Sequence, residues 1–209
     1  KEKSVIAKFR IKGAEGEYFL AWTTTPWTLP SNVALCVNPV ETYVRVKQND
    51  DVYILAEALA TNVLGEDYQI LETYTGKDLE YKEYEPLFNF ANTDKKAFYV
   101  TCADYVTLSD GTGIVHIAPA FGEDDSQVGR AYGLPFVQLI NSKGEFVEEA
   151  TPFKGVFCKD ADPAIMKDLE KRKLLFKKLD YEHSYPFCWR CDTPLIYYAR
   201  DTWFIEMTK

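Results

Sequence analysis

Ala21-Trp22-Thr23-Thr24-Thr25-Pro26-Trp27-Thr28-Leu29-Pro30-Ser31-Asn32 is the stretch on which the reading of this chain turns. It gathers four threonine hydroxyls, an asparagine amide and two indoles, with two prolines stiffening the backbone between them. A solvated loop rarely holds two tryptophans, and a plain core strand rarely ends in so many hydroxyls. The spacing predicts a strand over Tyr18 to Thr25 that breaks at a rigid bend. Pro26 fixes its own φ and pushes Thr25 into an extended conformation. On that strand Thr23 and Thr25 share one face and Thr24 takes the other. Two readings stand side by side: β-branched strand residues before a proline turn, or a strand-end ledge that binds a small polar ligand beside an indole.

Working outward, Val5, Ala7, Phe9 and Ile11 alternate with Ile6, Lys8 and Arg10, a strand that turns at Gly13 to Gly16 into Tyr18 to Thr25. Further strands are expected at Val33 to Val37, Thr42 to Lys47, Val52 to Leu55, Tyr68 to Thr75, Ala97 to Ala103 and Ile114 to Ala118. Ala56 to Leu64 has helical spacing with Gly65 as its stop, and Tyr81 to Phe90 reads as irregular. A helix opens at Gly122-Glu123-Asp124-Asp125 and ends before Gly133-Leu134-Pro135; its acidic first turn suits the helix dipole. Phe136 to Ile140, Gly144 to Val147, Leu174 to Leu179 and Thr202 to Ile205 also read as strands. Asp162 and Pro163 are the expected cap and first residue of a helix through Lys173. Many short strands with few helices predict an α+β fold: a barrel-like β-sheet core with flanking short helices.

The chain has 209 residues, a net charge of −8 and a hydrophobic fraction of 46%, ordinary values for a folded soluble domain with a sizeable core. The acidic balance offers no global field for nucleic acid, so any such contact needs a local patch. The only concentrated basic run, Lys167 to Lys178, reads as a solvated helix face or a polyanion contact. No apolar run approaches a bilayer span, and Lys1-Glu2-Lys3-Ser4 is no signal peptide. Five cysteines, scattered except for one pair, point to a reducing compartment rather than a disulfide framework. A cytoplasmic protein is therefore expected, and both ends read as cut from a larger chain.

Several chemistries lack their signatures. Gly111-Thr112-Gly113 has no following Lys-Ser/Thr and precedes a strand, unlike a phosphate loop. No nucleophile elbow is present, and no cysteine stands in a catalytic context, so water is the nucleophile a hydrolase here would use. His116 reads either as a satisfied strand histidine or as part of a site. Glu123, Asp124 and Asp125 read either as dipole partners or as a carboxylate that holds a substrate ammonium. Cys188-Trp189-Arg190-Cys191 supplies two ligands where a structural zinc wants four, at most half of a zinc site.

Thr23-Thr24-Thr25-Pro26-Trp27-Thr28-Leu29-Pro30-Ser31-Asn32, followed far downstream by Gly111-Thr112-Gly113-Ile114-Val115-His116-Ile117-Ala118-Pro119-Ala120-Phe121-Gly122-Glu123-Asp124-Asp125, resembles the editing domain (connective peptide 1) of isoleucyl-tRNA synthetases. The likeness covers essentially the whole chain. Valyl and leucyl relatives read TTRP in the first motif, and the valyl type typically carries a lysine at the place of His116. Tyr185-Pro186-Phe187-Cys188-Trp189-Arg190-Cys191-Asp192-Thr193-Pro194-Leu195-Ile196-Tyr197 resembles the return segment of eukaryotic cytoplasmic enzymes, while Phe121 stands where many bacterial members carry histidine. Neither ATP-site signature of a synthetase occurs in these residues.

The resemblance implies hydrolytic proofreading: deacylation of Val-tRNA(Ile), and of valyl-adenylate as a further substrate, while Ile-tRNA(Ile) is spared. Residues 1–180 would form the editing domain and 181–209 a return linker towards the synthetase body. By the same resemblance Asp125 grips the α-ammonium of the misattached amino acid, and with Thr24, Thr25 and His116 makes up the catalytic group. Thr24, Thr25, Thr28 and Asn32 would contact the terminal adenosine, the ester and the attacking water, Thr23 would be a further substrate-binding residue, and Trp27 with His116 would shape the side-chain pocket. The implied partners are the 3′ end of tRNA(Ile) carrying valine and the rest of the synthetase, with no membrane, and editing needs no cofactor or metal. Two alternatives remain: valyl-type editing of Thr-tRNA, and a non-catalytic module that binds tRNA ends.

Overall fold

The computed structural model of the chain describes residues 2–90, 93–181, 185–205 and 207. Strands β1 (Glu2–Arg10) and β2 (Glu17–Thr23) form an antiparallel hairpin in register from Val5↔Thr23 to Arg10↔Tyr18. Their alternation sorts side chains to two faces. Val5, Ala7, Phe9, Phe19 and Ala21 enter the main core, while Ile6 and Leu20 join a smaller cluster on the other side. Lys8, on that second face, is buried with its ammonium 2.8 Å from Asp51 and 4.1 Å from the Tyr18 ring centre.

The chain continues through β3 (Ala34–Val37), β4 (Thr42–Gln48), β5 (Asp51–Ala56) and α1 (Glu57–Leu64), where Gly65 takes a positive φ at the helix end. Next come β6 (Gln69–Thr75), the single turn α2 (Gly76–Leu79), β7 (Tyr99–Cys102) and β8 (Ile114–Ile117). Helices α3 (Glu123–Tyr132) and α4 (Asp162–Lys171) and strand β9 (Leu175–Tyr181) complete the elements. The described strands form one mixed sheet ordered β6-β4-β5-β2-β8-β3-β7, with β1 and β9 branching from β2. The fork at β2 decides the architecture. One edge of β2 carries β1, whereas the other pairs in parallel first with β5 over Glu17–Phe19 and then with β8 at Trp22↔Val115. The result is the α+β half-barrel with short helices that the strand count predicts.

Four sequence expectations need correction. β2 stops at Thr23, because Thr25 N–H turns back onto the Thr23 hydroxyl and Pro26 starts a 3-10 turn (Pro26–Ser31). Phe136 to Ile140 and Gly144 to Val147 are not strands but make isolated bridges, Ile140↔Phe146 and Glu145↔Phe157. Helix α4 starts one residue early, so Ala161 is its cap and Asp162 its first residue. Residues 202–205 carry no regular structure and are exposed.

After β9, residues 182–184 lie outside the described residues. The chain then doubles back at Phe187↔Pro194 and runs over the domain, with Ile196 and Tyr198 packed on the core. There the Ala199 N–H donates to the Ala120 carbonyl at 2.8 Å. No helix among the described residues is long and apolar enough to cross a membrane.

Candidate active site

The parallel pairing of β2 and β8 sets their carboxyl ends side by side. The threonine bend that follows β2 therefore faces the Ala118–Asp125 connection that follows β8. Between them lies a cleft of about 250 Å³. Trp22, Thr23, Thr24, Thr25 and Thr28 line it from one side, and Val115, His116, Phe121 and Asp125 from the other.

The threonines form a directed hydrogen-bond chain. Thr25 N–H donates to the Thr23 hydroxyl at 3.1 Å, the turn that short hydroxyl side chains favour. Thr28 donates its hydroxyl proton to the Thr25 carbonyl at 2.8 Å. Its oxygen is then the acceptor for Nε2–H of His116 at 2.9 Å and for the Thr25 hydroxyl at 3.3 Å. With the Thr28 proton given to the Thr25 carbonyl, the imidazole proton is assigned to Nε2, which leaves Nδ1, buried and without a protein partner, as a lone pair instead of an unpaired N–H. Burial holds the His116 pKa down at about 4, so the imidazole is neutral at pH 7.

Asp125 sits in the first turn of α3 but does not cap it. It reaches back to accept the Ala118 N–H at 2.9 Å. Burial raises its pKa to about 6, helped by Asp124 and opposed by the Ala118 N–H. Its carboxylate is thus poorly compensated and lines the cleft, the condition under which an incoming cation is bound most strongly. Gly122 makes room for this posture, since a Cβ there would come within 3.1 Å of the Asp125 carboxyl.

The remaining candidates fall elsewhere. Trp27 is 3% exposed and packs edge-on against Phe121, with ring centres 5.1 Å apart. It props the cleft wall without lining it. Asn32 lies in the core, donating to the Ala34 carbonyl at 2.8 Å and accepting the hydroxyl of Tyr84 at 2.5 Å. The indole at the ledge is Trp22, which sequence reading left unassigned together with Val115 and Phe121 as lining residues. Trp22 is set over Gly111, where a Cβ would fall 2.7 Å from its ring. Cys188 and Cys191 sit in a hairpin, the latter's thiol 3.0 Å from the Thr193 hydroxyl. Among the described residues no three His, Cys, Asp or Glu side chains cluster as metal ligands.

Known proteins resemble the chain in both sequence and fold. Isoleucine--tRNA ligase from Clostridium acetobutylicum is 56% identical over 209 residues, that from Clostridium novyi 54% over 209, and that from Bacillus thuringiensis 49% over 208. These alignments cover 100% of this chain and 20% of each relative. No family model matches. The relatives are bacterial, and they give no support to the eukaryotic cytoplasmic type expected from the return segment. Among solved structures, the chain superposes on GlLeuRS-CP1 with a TM-score of 0.68 at 16% identity, covering 87% of this chain and 100% of that one. It superposes on the editing domain of the P. knowlesi cytosolic leucyl-tRNA synthetase with a TM-score of 0.65 at 14% identity, covering 84% of this chain and 95% of that one. The chain spans a fifth of the length of the curated relatives it matches: it is homologous to one segment of bacterial isoleucine--tRNA ligases and has the fold of leucyl-tRNA synthetase editing domains.

Proposed function

We propose that the chain is a hydrolytic proofreading domain that deacylates Val-tRNA(Ile) and spares Ile-tRNA(Ile) as part of an isoleucine--tRNA ligase. One observation carries this reading: the Asp125 carboxylate and the linked hydroxyls of Thr23, Thr25 and Thr28 face one small cleft. The carboxylate takes the α-ammonium, and the threonine hydroxyls, Thr24 included, hold the ester and a water. The water oxygen bonds to the ester carbonyl carbon, the bond to the ribose oxygen breaks, and the ribose oxygen takes the proton. Free valine and a tRNA with a free ribose hydroxyl result. An aminoacyl ester is reactive, so positioning supplies much of the acceleration. Neutral His116 and Phe121, propped by Trp27, wall the amino-acid side chain.

A separate site is physically necessary. One methylene gives a hydrophobic pocket only about 1–3 kcal/mol of discrimination, a value known for isoleucyl-tRNA synthetase itself and not a result of this structure. A second pocket excludes isoleucine by overlap, a steeper penalty than a lost contact. We assign 1–180 to this activity and 181–209 to the return segment, with tRNA and the remainder of the ligase as partners, no cofactor for the hydrolysis, and a cytoplasmic setting that the free thiols suit. The test is deacylation of Val-tRNA(Ile) and Ile-tRNA(Ile) by the chain and by Asp125→Ala. Release of valine alone, lost in the variant, is expected. Equal cleavage of both esters, or equal activity of the variant, overturns the reading.

A further inference from the structure

Helix α3 links the cleft to a second place. Asp125 and Tyr132 stand seven residues apart, two helical turns, so both project from the same side of α3, about 10 Å apart along its axis. Around Tyr132 three tyrosines meet. Tyr81 lies 5.7 Å from Tyr99, with ring planes at 33°, and 6.0 Å edge-on from Tyr132.

The two inner rings are fixed through their hydroxyls. Tyr132 donates to Glu80 at 2.7 Å and accepts the Cys102 N–H at 2.9 Å, and Tyr99 donates to the Tyr132 carbonyl at 3.3 Å. The outer ring is not covered: Tyr81 is 56% exposed, against 4% for Tyr99. Its backbone is strained to hold it there. Tyr81 has φ +67°, and Phe98, opposite Tyr84 on the facing segment, φ +63°, a region bulky residues rarely adopt. Backbone bonds lock the pair of segments, Tyr81 N–H to Val100 O at 2.8 Å and Tyr84 N–H to Phe98 O at 2.9 Å.

Groups of both signs surround the open ring: Glu80 and Glu83 are ion-paired with Lys77 and Lys12, and two ammonium groups lie on neighbouring rings. The Lys96 ammonium lies 5.5 Å from the Tyr99 ring centre and that of Lys82 4.7 Å from Tyr74. Glu80 is occupied by Lys77 and the Tyr132 hydroxyl. An open aromatic face on a rigid backing, flanked by ammonium groups, is what binds an unpaired nucleotide: the base stacks on the ring and the phosphate meets the cations.

We propose that Tyr81, backed by Tyr99 and Tyr132 and flanked by Lys96, is a stacking platform for an unpaired base of the RNA 3′ strand whose last nucleotide enters the cleft. The proposal rests on the editing reading for the identity of the strand and deepens it by placing a nucleotide upstream of the reacting one.

Two measurements on the 209-residue chain test it. The first is binding of a fluorescein-labelled acceptor-stem hairpin with an unpaired tRNA 3′ end. Tyr81→Ala should weaken Kd about tenfold, Tyr81→Trp should restore it, and Lys96→Ala should flatten the salt dependence. The second is hydrolysis of a valyl ester on that hairpin against 2′(3′)-O-valyladenosine, which has no upstream nucleotide. Tyr81→Ala should lower the hairpin-to-nucleoside ratio of kcat/KM about tenfold, through KM. Binding unchanged by Tyr81→Ala, or absent in the unsubstituted chain, overturns the platform. Cleavage of neither ester while Tyr81→Ala still weakens binding sinks the editing reading and leaves the platform standing. Thermal unfolding of all three variants confirms that the exposed substitutions leave the fold intact.

Discussion

The Thr28 hydroxyl stands 2.9 Å from Nε2 of His116, joining the bend after β2 to strand β8 across 88 positions of sequence. Because Thr28 gives its own proton to the Thr25 carbonyl, it serves the imidazole as an acceptor. Thr28→Ala therefore leaves a buried N–H unpaired beside a ring nitrogen that already lacks a partner. A loss of about 1–3 kcal/mol is expected in urea unfolding, with Thr28→Ser close to the unsubstituted chain. Equal stability of Thr28→Ala would refute the assigned tautomer and its hydrogen bond.

Asp125 links stability and activity with opposite signs. Its folded pKa, about 6, lies above the ordinary 3.8, so the folded state holds the proton more tightly between those values. Its contribution is fully present below about pH 4 and is lost as pH rises through 6. Asp125→Asn should gain up to about 3 kcal/mol of stability at pH 7, retain the Ala118 bond, and abolish ester hydrolysis. In the unsubstituted chain kcat/KM should fall below about pH 6 as the ammonium anchor protonates. Calorimetry of both forms at pH 4.5 and 7, beside a pH–rate profile, decides it. A variant that is less stable at pH 7 contradicts the prediction.

Asn32 and Tyr84 should behave as one unit. Either Asn32→Ala or Tyr84→Phe breaks the same buried bond, so their stability losses should not add. A coupling of about 0.5–3 kcal/mol is expected from the double-mutant cycle in urea. Additive losses would show that Asn32 acts on something other than Tyr84.

Gly111 holds φ +73° directly under the Trp22 indole. Gly111→Ala adds left-handed strain of about 1–2 kcal/mol and overpacking of about 1–3 kcal/mol. It should lower the unfolding midpoint and shift tryptophan emission as the cleft wall moves. An unchanged midpoint would mean that the wall yields freely.

Local patterns were the legible part of this fold. The β1–β2 hairpin follows from strict alternation between glycine turns, and α3 from its acidic start and glycine stop. The misread segments were those in which a strand-like composition finds no ladder. Around 136–147, the Asn141 side chain takes the N–H groups of Lys143 and Glu145, closing a tight turn that leaves single bridges instead of strands. Residues 202–205 pair with no strand among the described residues and lie exposed. The threonine run and the acidic turn were visible because each is contiguous. The roles of Trp27 and Asn32 were not, because they depend on Phe121 and Tyr84, residues distant in sequence. The choice between the two indoles hinged on where β2 ends, and that is set by a threonine hydroxyl capturing a backbone N–H.

The pairing of β1 with β9 puts Glu2 opposite Tyr181, a separation of about 5 Å for antiparallel neighbours. The excursion between them is therefore almost closed on itself, and the segment after β9 is laid back over it, with Ala199 hydrogen-bonded to Ala120. A unit with so narrow a mouth can be accommodated within a host chain without prising its flanking elements apart.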